Sequence, residues 1–104
     1  MRRPEAIKKI KEVLQKVAPN ADVFLFGSEA RGESRIDSDF DILVLEDADF
    51  ITVAREKEIT TPLFMLGYSD GIEVQPIVTT KSEWENRPFV TPFYQNVMND
   101  RVKL

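Results

Sequence analysis

Gly27-Ser28-Glu29-Ala30-Arg31-Gly32, then five residues from Glu33 to Asp37, then Ser38-Asp39-Phe40-Asp41-Ile42-Leu43-Val44 is the stretch on which the reading of this chain turns. A nearly continuous apolar run, Asp22-Val23-Phe24-Leu25-Phe26, precedes it and has the character of a short buried strand. Gly27 and Ser28 then open a turn. A glycine there lets the backbone approach a ligand, and a following helix start offers free N–H groups to an anion. Together they describe a phosphate seat. It is not a Walker loop, which needs a lysine after its second glycine, nor a dinucleotide fingerprint.

On the far side of the stretch, Asp39 and Asp41 stand two apart at the start of the run Phe40 to Leu45. On a strand, residues so spaced share a face and lie about 6.5 to 7 Å apart along the chain. Two carboxylates in that arrangement can converge on one or two cations. Without a cation they repel, by roughly 3 kcal/mol at about 6 Å and an effective dielectric near 20, before screening. An Asp-x-Asp pair alone is more often a solvated strand edge, and Arg31 alone a solvated helix charge. Their order, with a strand before and a strand after, singles the stretch out.

Composition narrows the chemistry. The 104 residues are 42% hydrophobic and 31% charged, and the sequence contains neither cysteine nor histidine. Thiolate nucleophiles, disulfides, cysteine or histidine metal sites and the Ser-His-Asp triad are thereby excluded within the chain. Any metal must be held by oxygen, which favours hard cations such as Mg²⁺, Mn²⁺ or Ca²⁺. With 14 basic and 18 acidic residues, net −4, there is no overall basic surface to support nucleic acid as the main partner. No apolar run reaches the roughly 20 residues of a membrane span. The start, Met1-Arg2-Arg3-Pro4-Glu5, leads into an amphipathic stretch rather than a signal segment, so a cytoplasmic protein is expected.

Outside the central stretch, Ile7, Ile10, Val13, Leu14 and Val17 fall at helical spacing, predicting a helix from Pro4 to about Ala18 that Pro19-Asn20 stops. A helix-forming stretch runs from about Phe50 to Leu66, with Pro62 expected to kink or divide it. Gly71 to Thr79 reads as a third strand, its Pro76 pointing to an edge or a bulge. Thr80-Lys81-Ser82-Glu83 has the capping-box pattern before a short helix carrying Trp84. Thr91-Pro92 marks another helix start, with Phe93, Val97 and Met98 on one face. The apolar density of Phe89, Val90, Phe93, Tyr94, Val97 and Met98 is explained first by core packing, with a homodimer or partner surface as the alternative. The expectation is one α/β (α+β) domain over residues 1–104, a small mixed sheet with helices packed on it.

Gly27-Ser28, Ala30-Arg31-Gly32, Ser38-Asp39 and Asp41 resemble the signature of the minimal nucleotidyltransferases of the DNA polymerase beta-like superfamily, and the resemblance covers the core from about Val23 to Val78. It implies Mg²⁺ in a two-metal site, an NTP donor, ATP foremost, and transfer of NMP to a hydroxyl or phosphate. In that reading Gly27, Ser28 and Ser38 belong to the nucleotide site, Asp39 and Asp41 hold the metals, and Arg31 orders the loop or touches the phosphates. Active members of the family carry a third carboxylate on a later strand. Glu73 is the candidate here, alternating with Ile72 and Val74 on a polar face shared with Gln75; an exposed glutamate on an edge strand is the equal alternative. Isolated domains of the family resemble antitoxins that adenylylate a separate helical HEPN-type partner. A binding module that kept the nucleotide seat and lost turnover is the competing reading.

Overall fold

The computed structural model describes residues 3–32 and 39–104; Ser38 lies outside them. Helix α1 (Arg3–Val17) leads into strand β1 (Asp22–Phe26), the single-turn helix α2 (Gly27–Ala30) and strand β2 (Phe40–Glu46). Helix α3 (Val53–Asp70), strand β3 (Val74–Thr80), helices α4 (Lys81–Glu85) and α5 (Pro92–Asp100) and the two-residue strand β4 (Val102–Lys103) follow. The strands form one mixed sheet in the order β3-β2-β1-β4. β1 is antiparallel to β2 and to β4, whereas β3 runs parallel to β2 after the α3 crossover.

Alternation along the strands divides the core into two layers. Ile42 and Val44 of β2 join Val23, Leu25 and Val74 under α1, which buries Ala6, Ile10 and Leu14, and under α3, which buries Ile59, Leu63 and Leu66. Leu43 and Leu45 face the other way, against Trp84 of α4 and Val97 of α5. β2 therefore reads as a nearly continuous apolar run because helices cover both of its faces.

Three expectations are adjusted. α3 is one continuous helix through Pro62, where the Glu58 carbonyl left without its partner belongs to an exposed residue, so water can take it. That helix is also displaced towards the C-terminus relative to the expected stretch. Thr52 caps its start by accepting from the Arg55 N–H at 3.0 Å, and Gly71, at φ +69°, ends it. β3 correspondingly begins at Val74 rather than Gly71, and Pro76 sits on an edge strand, where a missing N–H costs least. Thr80 and Thr91 cap α4 and α5 through the N–H groups of Glu83 and Tyr94. The C-terminal apolar cluster splits: Val97 is buried and Tyr94 and Met98 pack beside it, while Phe89 and Val90 stay exposed.

Candidate functional site

The end of β1 and the start of β2 lie side by side, with Phe26 opposite Asp41 in the antiparallel register. Gly27 follows at φ +74°, a left-handed conformation in which a side chain is strained. A Cβ added there would overlap Asp41 Oδ2 and stand 3.2 Å from its Cγ. The glycine is therefore required twice, for the turn and for the space that the Asp41 carboxylate fills. α2 then makes its single turn, closed by Arg31 N–H to Gly27 O at 3.1 Å. Its N-cap residue, Phe26, is extended and supplies no side-chain cap, so the first N–H groups of the turn have no side-chain acceptor at that position.

Asp39 is exposed and Asp41 half-buried. Burial pushes the Asp41 carboxyl above its usual range, the neighbouring Asp39 charge pushes the same way, and the Arg31 guanidinium partly offsets both. The repulsion expected between the paired aspartates thus acts in the same direction as desolvation, which is the larger cause of the upward shift. Gln75, directly across β3 from Asp41, donates from Nε2 to Asp39 Oδ2 at 3.3 Å. Arg31 Nη1 pairs with Asp100 Oδ2 at 2.9 Å, and Arg3 pairs with Glu29 while its guanidinium lies 4.1 Å from the centroid of the Phe40 ring. α1 and α5 therefore both reach the turn.

Gly27, Ser28, Arg31, Asp39 and Asp41 come together at one end of the sheet. Glu73 does not join them with its carboxylate. Its backbone is beside the pair, accepting from Phe40 N–H at 2.9 Å, but its Oε1 lies 3.3 Å from where a Cβ on Gly67 of α3 would stand. Among the described residues no three acidic side chains gather in a way that could hold a metal ion. Two carboxylates, one held in a space that only glycine leaves, still offer the all-oxygen donor set that suits a hard cation. Asp100 carries no signal in the sequence, since nothing local links it to a partner 69 residues away. Gln75 was seen only as a polar neighbour.

The sequence pattern of the nucleotidyltransferase domain family matches residues 7–103. The chain belongs to that family. No curated protein matches the sequence. Among solved structures, a toxin–antitoxin structure with AMP-PNP shares 24% identity at a TM-score of 0.63, over 92% of this chain and 69% of that one. A mutant of the MntA-HpeT toxin–antitoxin, with two aspartates changed to glutamate, shares 23% at 0.61, over 92% and 69%. A tri-AMPylated HEPN toxin of Shewanella oneidensis in complex with MNT antitoxin shares 21% at 0.60, over 98% and 71%. These likenesses establish the nucleotidyltransferase fold. Among the described residues no helix of this nucleotidyltransferase is long and apolar enough to cross a membrane.

Proposed function

We propose that the protein binds an NTP, ATP foremost, with Mg²⁺ on Asp39 and Asp41, and transfers NMP to a hydroxyl of a separate helical HEPN-type protein in the cytoplasm. The observation that carries this reading is the fit of the Asp41 carboxylate into the space left by Gly27, which places paired acids against an uncapped helical turn. The turn at Gly27 and Ser28 receives the β- and γ-phosphates, with Arg31 beside them and Ser38 following in sequence. The bound cation would neutralise the triphosphate and stabilise the attacking oxygen. The acceptor oxygen attacks the α-phosphorus, the bond to the bridging oxygen of the β-phosphate breaks, and pyrophosphate leaves while the hydroxyl proton passes to base or solvent. The structural neighbours solved with AMP-PNP and with an AMPylated HEPN toxin support the choice of nucleotide and partner.

One observation favours a second reading, a nucleotide-binding antitoxin with little or no turnover. For Glu73 to serve as third ligand its carboxylate must leave Gly67 and turn towards Asp39, the residue before Phe40, whose N–H the Glu73 carbonyl accepts. Calorimetric titration with ATP in Mg²⁺ and in EDTA, followed by a search for label transfer from α-labelled ATP onto the product of the neighbouring gene and onto a purified HEPN protein, separates the cases. Tight Mg-ATP binding with transfer supports the enzyme, and binding without transfer the module. Equal affinity with and without divalent metal would remove the metal reading.

A further inference from the structure

Asp100 is the last residue of α5, with a side chain only 23% exposed. A carboxylate at that position faces the negative end of the helix dipole, and no basic residue in the last turn compensates it. Its ion pair with Arg31, across 69 residues, offsets that disadvantage. The rest of the helix fixes where this carboxylate stands. Phe93, seven residues earlier and so on the same helical face, sets its ring edge against Phe26 with centroids 6.1 Å apart. Val97 between them is buried in the core. Immediately after Asp100 the chain passes through Arg101, whose guanidinium lies 5.8 Å from the Phe24 ring centroid, and then Val102 and Lys103 pair with Leu25 and Phe24 of β1. The carboxylate is thus anchored to the same strand that delivers Gly27.

We infer that Asp100 is a positioning residue for the nucleotide, holding the Arg31 guanidinium at the mouth of the turn so that α5 and β4 set the geometry of the phosphate seat. This rests on the reading of that turn as a phosphate seat. Arginine has a long, flexible side chain, and ordering it before the ligand arrives removes part of the entropic cost of binding. α5 becomes part of the site through this ion pair and through the contact of Phe93 with Phe26.

The test is calorimetric titration of Mg-ATP and of Mg-tripolyphosphate at fixed ionic strength, with a thermal melt of each protein. The proteins are wild type, Asp100→Asn, Asp100→Glu, Arg31→Ala and the double variant Arg31→Ala/Asp100→Asn. Asp100→Asn is expected to weaken both ligands roughly five-fold, with Asp100→Glu recovering most of the loss, and to change nothing further in the Arg31→Ala background. A purely structural role would lower the melting temperature of Asp100→Asn and leave its affinities alone. Unchanged affinity overturns the inference. Tighter binding also overturns it, because Asp100 would then be competing with phosphate for Arg31, and so does a loss that persists in full without Arg31. Wild type that binds neither ligand overturns the phosphate seat itself, and the inference with it.

Discussion

The two faces of the sheet are built differently. Under α1 and α3, fourteen buried residues among those described, aliphatic but for Phe40, form one continuous layer. Under α4 and α5 the buried cluster among the described residues is Leu43, Leu45, Trp84 and Val97, and much of the cover is aromatic and cationic. The Trp84 and Tyr94 rings meet at a tilt with centroids 4.9 Å apart, and the Arg87 guanidinium lies 4.5 and 4.7 Å from their ring centroids. Asp39, Asp41 and Gln75 lie on this second side, in alternation with the residues that feed the aliphatic layer. A face that must admit a charged ligand cannot be sealed with packed aliphatic helices, since burying unpaired carboxylates there would cost more than the packing returns. Aliphatic packing is concentrated on one face and the proposed chemistry on the other.

The sharpest way to break that division is to cut into each layer. Leu63→Ala, at a fully buried α3 position, should lower stability to chemical denaturation by about 2–5 kcal/mol, the range for leucine truncation in a core. Val97→Ala should cost about 2 kcal/mol or less by the area of two lost methyl groups. If the faces are separate in function, the Leu63 variant binds Mg-ATP normally below its melting temperature, whereas the Val97 variant, which loosens α5, binds it less well. An effect on affinity in the Leu63 variant alone would reverse the assignment.

A middle-sized effect belongs to Gly27. Gly27→Ala should cost about 1–2 kcal/mol for its left-handed backbone, and it should displace the Asp41 carboxylate that its Cβ would overlap. Nucleotide binding should fall far more than stability, and Gly27→Val should be worse on both counts. Ser28→Ala should weaken binding with the fold intact. A Gly27→Val protein that binds Mg-ATP normally means that the turn is not the seat.

How much of this was legible in the sequence follows the range of the signals. α1, β1, β2 and the caps at Thr80 and Thr91 were readable because periodicity and capping act within a few residues. The start of α3 at Val53 is hidden because Thr52 caps it without a capping-box acid, Arg55 standing at the third position. Its end is hidden because Gly71, which stops the helix, also reads as the opening of the following strand. β4 is two residues long and exists only because α5 returns the chain to β1. The paired aspartates and their glycine turn were legible as residue types at a spacing. That Asp41 lies in the space Gly27 leaves, that Gln75 holds Asp39, and that Asp100 holds Arg31 are products of pairing between distant segments, which no local pattern encodes. The lodging of Glu73 against Gly67 is of the same kind.

The smallest expected effect is on Asp41, and its sign is what makes it informative. Burial and the Asp39 charge hold this carboxyl above its ordinary value of 3.8 in the folded protein. Between the unfolded and folded values the native state binds more protons than the unfolded state, so stability falls as pH rises through that interval, and the penalty is fully present above it. The group is half-buried, so solvent screens much of this penalty and the effect is small. Asp41→Asn removes it at nearly constant shape. In EDTA the variant should therefore match wild type below pH 3.8 and gain on it as pH rises, reaching a plateau near neutrality with a melting temperature equal to or above that of wild type. Acid unfolding through other carboxylates is common to both proteins and cancels in the difference. With Mg-ATP the order should invert, because only wild type is stabilised by mass action on its folded state. Thermal melts of both proteins across pH, with and without Mg-ATP, decide it. A variant strongly destabilised in EDTA that still responds fully to Mg-ATP would mean that Asp41 is a structural hydrogen-bond acceptor, and the site would have to be sought elsewhere on the thinner face of the sheet.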